Sequence, residues 1–419
     1  MCYAIPGRLI EINGHVGIID YYGETRNILL DGNDTSIGDY VYAQGGVLIR
    51  KVEEIEAKKI INLWKEKFFD LKAIDKKLSH VEDNQIAILQ KVNLKKELTT
   101  EEMKAVLNET DTKLIYETAN NIRHKEHGNA CCVHGIIEFS NYCTNNCFYC
   151  GIRQVRNIER YRMTVEEILN LAKHASAELG FKAFVLQSGE DPWYDEEKLI
   201  EIVKGIKKLG VLVFLSIGLR EKVLYKKLYD AGARAALLRF ETANEALFEK
   251  LRPGTTLKDR LELIRYLKSL GYIIATGFIA GLPGETDEDI IDNILLTKEL
   301  KPEMFSFGPL IPTKDTPLEN QSLMTKEKML KIIALSRFVE PDSNILVTTA
   351  LETLDKHTKE EGLMAGANSL MLNLTPKDYR KLYSIYQNRA GTDDEIKDCI
   401  SQTIKLLTSL GRAPTDIGL

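Results

Sequence analysis

Cys143, Cys147 and Cys150 stand in a C-x3-C-x2-C spacing directly after the apolar run Val133 to Phe139. Three thiolates on one short loop can hold three irons of a four-iron, four-sulfur cluster and leave the fourth iron open to a small molecule. Structural zinc calls for four closed ligands and a thiol redox pair for C-x2-C alone, and the spacing here is that of neither. Other residues downstream have chemistry of their own. Gln187-Ser188-Gly189-Glu190 ends in a carboxylate able to accept hydrogen bonds from an ammonium group. Arg239 ends the apolar run Ala235 to Leu238, where an unpaired charge is costly, so a carboxylate partner is expected, either on a ligand or on a neighbour such as Glu241. Tyr149, taken alone, reads as packing.

These groups need a scaffold. From the cysteine loop onward short apolar strands alternate with amphipathic helices, the pattern of a parallel sheet with helical crossovers. The strands read as 135–140, 183–186, 211–216, 235–240, 273–279, 304–307, 345–347 and 369–372, which predicts an α/β fold with a (βα)8 barrel of the TIM type. Polar residues follow each strand, where such barrels build their sites: Asn141 and Cys143, Gln187 to Glu190, Ser216, Arg239 and Glu241, Thr276-Gly277, Gly308-Pro309, Thr348-Thr349 and Asn373. Thr99 with Glu102 and Thr164 with Glu167 predict capping boxes.

Residues 1–69 read differently. Alternating segments at 8–12, 17–20, 26–30 and 39–43, separated by Asn13-Gly14, Tyr22-Gly23 and Gly32-Asn33 turns, predict a small OB-like β-barrel or a sandwich, and a charged helix from Glu53 to Phe69 follows. Residues 70–98 read as a linker with some helix, and 99–419 as the large barrel.

Composition narrows the classes. The 419 residues carry a net charge of -5 with 44% hydrophobic content, an ordinary globular balance that gives no electrostatic case for nucleic acid or anionic membrane. The start reaches Pro6-Gly7 before a signal peptide could form, and seven cysteines, three of them clustered, fit metal chemistry in a reducing cytoplasm better than a disulfide framework. Cys131 and Cys132, beside His124 and His127, read as neutral core residues and not as a metal site; Cys399 reads as inert.

The stretch Phe139 to Arg153, FSNYCTNNCFYCGIR, resembles the cluster loop of the radical S-adenosylmethionine (SAM) enzymes. That resemblance implies a 4Fe–4S cluster on Cys143, Cys147 and Cys150, chelation of its open iron by the amino and carboxylate groups of SAM, and one-electron cleavage to a 5′-deoxyadenosyl radical. It further implies SAM contacts from Tyr149, Gln187, Ser188, Glu190, Ser216, Arg239 and Glu241, and a backbone approach to the adenosine from Gly281-Leu-Pro-Gly-Glu285. Within the superfamily, IEFSNYC at 137–143, RYRM at 160–163, VLQSGEDP at 185–192, TTA at 348–350 and NLTP at 373–376 resemble the HydE maturases of FeFe hydrogenase. The implied substrate is an iron complex bearing cysteine, carbonyl and cyanide ligands, met by Thr348 and Thr349; the implied electron donor is a ferredoxin or flavodoxin, and other maturation proteins are implied partners. Two departures fall inside the expected pocket, where a lost carboxylate and a lost imidazole bear on the choice of substrate: Leu219 stands where the family has Glu, and Phe240 where it has His. The amino-terminal MCYAIPG resembles HypC, the small NiFe-hydrogenase chaperone, and implies that Cys2 carries an iron with cyanide and carbon monoxide; Gln44 stands where that family's histidine is expected. A methylornithine-synthase-like mutase and a metallocentre scaffold are the alternative readings.

Overall fold

The computed structural model describes residues 3–32, 34–81 and 86–417. Cys2 and Asn33 lie outside the described residues. Strands Gly7–Asn13, Val16–Tyr21, Glu24–Leu29, Tyr40–Gln44 and Val47–Val52 form a closed barrel in the order first, second, third, fifth, fourth. Leu9, Ile19 and Val41 are fully enclosed; Arg8 and Ile10 on either side of Leu9 face water, and the flanks of Ile19 are half-buried, the period-two pattern of a sheet closed around a core. Gly14 and Gly23 make the tight turns at φ 61° and 94°. The last strand escaped the sequence reading because Val-Leu-Ile-Arg-Lys-Val does not alternate.

The following helix runs Glu54–Leu78, past the expected end at Phe69. Phe68, Leu71 and Asp75 continue a buried stripe at helical spacing, and packing of that stripe carries the helix through a segment whose charges read as linker.

The large barrel has eight parallel strands: Ala130–Ser140, Ala183–Ser188, Leu212–Ser216, Ala235–Leu237, Ile273–Thr276, Met304–Phe305, Asn344–Ile345 and Ser369–Asn373. The last pairs with the first, and a single parallel bridge from Leu346 to Ser369 closes the remaining seam. The first strand begins at Ala130, ahead of the expected Gly135, because the carboxy-terminal strand Ala413–Pro414 pairs with Ala130 and Cys131 and extends the sheet downward. Both expected capping boxes are present, with reciprocal bonds at Thr99/Glu102 and Thr164/Glu167.

The small barrel docks beneath the large one. A Cβ on Gly45, at the tip of the 40–52 hairpin, would lie 3.0 Å from the Ile273 side chain and 3.1 Å from that of Leu212, at the lower ends of two barrel strands. Asp31 pairs with Arg234 at 3.0 Å, and the Tyr3 hydroxyl donates to Asn129 at 3.1 Å. The long helix seals the joint through Asp75, which accepts two bonds of 2.9 Å from Arg123, lies 2.6 Å from His124 Nδ1 and 3.1 Å from Arg412 Nε. His124 and His127 are thereby used structurally, the latter reaching the Pro341 carbonyl at 3.0 Å. Among the described residues no helix is long and apolar enough to cross a membrane.

Candidate active site

The cysteine loop leaves the first barrel strand at Ser140 and is held by one arginine. Arg160 donates to the carbonyls of Asn141, Ile152, Arg153 and Arg156 at 2.6, 2.7, 2.7 and 3.1 Å. A planar guanidinium serves four carbonyls in a way a lysine could not. The Asn141 amide ties the loop to the Glu159 and Leu382 carbonyls, each at 2.9 Å. Gly189 lets the turn after the second strand press against the loop, since a Cβ there would sit 2.1 Å from the Tyr142 carbonyl oxygen.

Above the strand ends lies a cavity of 280 Å³ lined by Cys143, Cys147 and Cys150. Tyr149, Gln187, Ser188, Glu190, Ser216, Arg239, Glu241, Thr348 and Thr349 line the same cavity. Glu190 accepts from the Leu219 backbone amide at 2.9 Å, and Gly218, at φ 74°, leaves room for it where a Cβ would come within 2.2 Å. Arg239 Nε approaches Glu241 Oε2 at 3.4 Å, so the protein-side partner expected for this arginine exists. Glu241 itself holds φ 72°, a left-handed conformation that a non-glycine residue adopts at some cost and that clusters at functional sites. Thr348 is also the N-cap of the helix Thr349–Leu354.

Two buried arginines join this set and were missed in the sequence. Arg252 donates to the Tyr149 hydroxyl at 2.8 Å and stands 3.7 Å from Glu241 and 3.9 Å from Glu190. Arg260 stands 3.6 Å from Glu241 and 4.0 Å from Glu190, and its Nε bonds the Arg239 carbonyl. Arg260 was readable: in the helix Leu257–Ser269 it interrupts the buried stripe Leu257, Leu263, Ile264, Leu267. The far wall holds a second unforeseen group. Arg389 donates to both carboxylate oxygens of the fully buried Glu138, and Asn373 donates to one of them at 2.7 Å.

Neither family departure enters the cavity. Phe240 is fully buried in the outer core, with its ring 6.3 Å from that of Phe278, because successive residues at a strand end point to opposite faces and Arg239 takes the inner one. Leu219 offers only its backbone amide to Glu190. The expectation that these two positions lie inside the pocket is therefore corrected.

Gly281 and Gly284 turn at φ 84° and 80°, and the loop they shape is tied down by Glu285. This carboxyl accepts from the Gly281 amide at 2.5 Å and from Asn293 at 3.2 Å. Burial pushes it up from 4.5 to about 7. A raised carboxyl stabilises the fold fully below its unfolded value and loses that contribution as pH rises through the folded one. Glu285→Gln should therefore flatten the stability profile between about pH 4.5 and 7, removing a slope worth about 2–4 kcal/mol. Parallel denaturation curves for parent and variant across that window would contradict this.

The residues fit a 4Fe–4S cluster and SAM on two observations. Three thiols reach one cavity, and burial pushes those of Cys147 and Cys150 up, the latter to about 12, so thiolate forms there against a cation. Beside them Glu241 Oε2, Arg252 Nε and Arg260 Nη1 are buried without hydrogen-bond partners among the described residues, a demand that a zwitterionic ligand meets.

Comparison with known proteins agrees with this geometry. Residues 1–64 match the HupF/HypC family, residues 137–296 the Radical SAM superfamily and residues 306–416 the Biotin and Thiamin Synthesis associated domain. The chain is 43% identical to the [FeFe] hydrogenase maturase subunit HydE of Thermotoga maritima, over 78% of this chain and 94% of that protein. It is 32% identical to 3-methylornithine synthase of Methanosarcina acetivorans, over 76% of this chain and 91% of that one. The crystal structure of methylornithine synthase (PylB) superimposes with a TM-score of 0.70 at 27% identity, covering 78% of this chain and 97% of that one. Barrel, cysteine cavity and sequence together make the chain a radical SAM enzyme of the HydE family, carrying a HupF/HypC-family module at its amino terminus.

Proposed function

We propose that the enzyme reductively cleaves SAM and acts on an iron complex with cysteine, carbonyl and cyanide ligands during hydrogenase maturation. The observation that carries this reading is the division of one cavity into two chemistries. On one side Cys143, Cys147 and Cys150 hold the cluster. Beside them Glu190 accepts from the SAM ammonium, Arg239 takes its carboxylate, and Glu241, through Arg252 and Arg260, fixes the charge pattern. Tyr149, Gln187, Ser188 and Ser216 complete the contacts with SAM. When bound, the cluster and SAM supply the electron transfer and the sulfonium bond whose cleavage yields a 5′-deoxyadenosyl radical. The other side, Thr348 and Thr349, offers hydroxyls to the substrate, and the protein's part is to orient it and exclude water.

The organometallic reading is preferred to the methylornithine-synthase-like one because the chain is 43% identical to the HydE maturase subunit over 94% of that protein, against 32% to 3-methylornithine synthase over 91% of that one.

The HypC-like module holds, receives or presents an iron-cyanide-carbonyl species on Cys2, and covalent fusion replaces a diffusional encounter by a high effective concentration. A ferredoxin- or flavodoxin-type donor and other maturation proteins are the partners, in the cytoplasm. The test measures 5′-deoxyadenosine under dithionite, with and without an iron-cysteine-carbonyl-cyanide complex, alongside coupled hydrogenase maturation. Cys2→Ser should cleave SAM at the parent rate and lose coupled maturation. Parental maturation by that variant would reduce the module to a docking domain, and a turnover indifferent to the complex would remove the substrate assignment.

A further inference from the structure

The lower end of the large barrel contains a second set of metal-ligating side chains, far along the strands from the cysteine cavity. Cys132 and His134 lie on the first strand, and Asp416 follows the carboxy-terminal strand that pairs with its start. One ligand atom from each lies within 4.8 Å of the others, and all three residues are buried. His134 Nε2 stands 3.4 Å from Asp416 Oδ2, too far for a good hydrogen bond. Two nitrogen and oxygen ligands of a tetrahedral ion are also separated by about 3.4 Å, given bonds of about 2.0–2.2 Å. Among the described residues His134 Nδ1 has no hydrogen-bond partner, so this imidazole is buried against the Phe214 ring, 4.9 Å away, with one long polar contact. Such a group is costly unless something further meets it.

We propose that Cys132, His134 and Asp416 hold a borderline divalent transition ion of the Fe2+ or Zn2+ class. Charge favours it: one thiolate and one carboxylate neutralise a divalent ion, so the filled site is electroneutral in an apolar interior. Binding breaks the Cys132 S–H bond, and its proton leaves for solvent while the sulfur pair goes to the metal. A thiolate and an imidazole select this class over Mg2+ or Ca2+. Asp416 is already oriented, since its Oδ2 accepts from the Val133 amide and the Thr415 hydroxyl at 2.9 Å each, as the outer partners of a ligating carboxylate do. Three protein ligands leave a fourth tetrahedral position. Gln44 belongs to the hairpin that enters this end: its amide is fully buried with neither oxygen nor nitrogen partnered among the described residues, and its neighbour Gly45 abuts Leu212 and Ile273. Leu212 belongs to the apolar cluster that contains Phe214, and Ile273 packs against it.

The site is enclosed, so the metal must enter during folding. The full chain should be produced with added zinc chloride, its cysteine cluster reconstituted with iron, and free metal removed. Zinc is then counted and its K-edge absorption read, where cluster iron does not interfere. About one zinc per chain with a single sulfur at about 2.3 Å and nitrogen or oxygen otherwise is the expected result on the unmodified protein. Cys132→Ala should retain at most about a tenth of that zinc while still producing 5′-deoxyadenosine, which reports its fold. Absence of zinc, a shell without sulfur or with several sulfurs, parental zinc in Cys132→Ala, or zinc lost with Cys2→Ser but kept in Cys132→Ala would each overturn the assignment.

Discussion

Replacing Cys143, Cys147 or Cys150 by Ala abolishes release of 5′-deoxyadenosine from SAM under dithionite. Each thiol lines the same cavity. The other described cysteines offer no substitute: Cys131 and Cys132 are buried in the first strand's lower half, and Cys399 is on the helix Ile396–Ser409. Three thiolates on one loop are the least that keep three irons fixed and the fourth available. Loss of one removes an iron–sulfur bond and leaves part of a buried cluster without its anion. The fold should survive, because the loop is held by backbone bonds to Arg160 and Asn141 and not by the thiols. Iron content, the spectrum of the reduced cluster and product chromatography give three readouts, and far-ultraviolet circular dichroism checks the fold. Full turnover by any one variant would remove the cluster assignment.

How much of this could be read in the chain depends on how local each signal is. All eight barrel strands were visible as apolar runs, since a strand covered on both faces writes its burial directly into consecutive residues. The cysteine loop and the residues after each strand were visible for the same reason. Positions set by long-range packing were not. Glu138 and Arg389 are 251 residues apart, and no local pattern announces a pair that only barrel closure creates. Asp416 reaches His134 through a short carboxy-terminal strand that reads as tail. The extension of the long helix to Leu78 was hidden because Asp75 interrupts an apolar stripe with a charge that only the tertiary partners Arg123 and Arg412 explain. Phe240 was misjudged by identity where strand alternation would have placed it: if Arg239 faces the cavity, its neighbour faces away.

That same Asp75 should give the largest loss of stability of any single residue at the joint between the two barrels. Burial alone would raise its carboxyl, but the His124 hydrogen bond and the charges of Arg123 and Arg412 outweigh this and hold it down at about 2. Arg412, lowered by burial to about 9, is still a cation at neutral pH. Asp75→Asn keeps the shape and removes the charge, leaving Arg123 and Arg412 buried without their anion. The expected cost is about 3–5 kcal/mol, the range for breaking one side of a buried ion pair. Replacement by a well-packed apolar group would cost no less here, because two guanidinium groups would still be stranded. The close approach of Gly411, where a Cβ would lie 2.2 Å from the Asp75 backbone nitrogen, leaves no room for the helix to shift and recover contacts. A depressed carboxyl stabilises the fold above its unfolded value and loses that contribution as pH falls through the folded one, so the parent should lose this stability between about pH 4 and 2. The variant should show no such step. Chemical denaturation gives the energy, and hydrogen exchange over 54–78 tells whether the helix detaches while the large barrel persists. A variant within about 1 kcal/mol of the parent, with unchanged exchange over the helix, would mean that the two barrels are held together by the apolar contacts around Gly45 and not by this carboxylate.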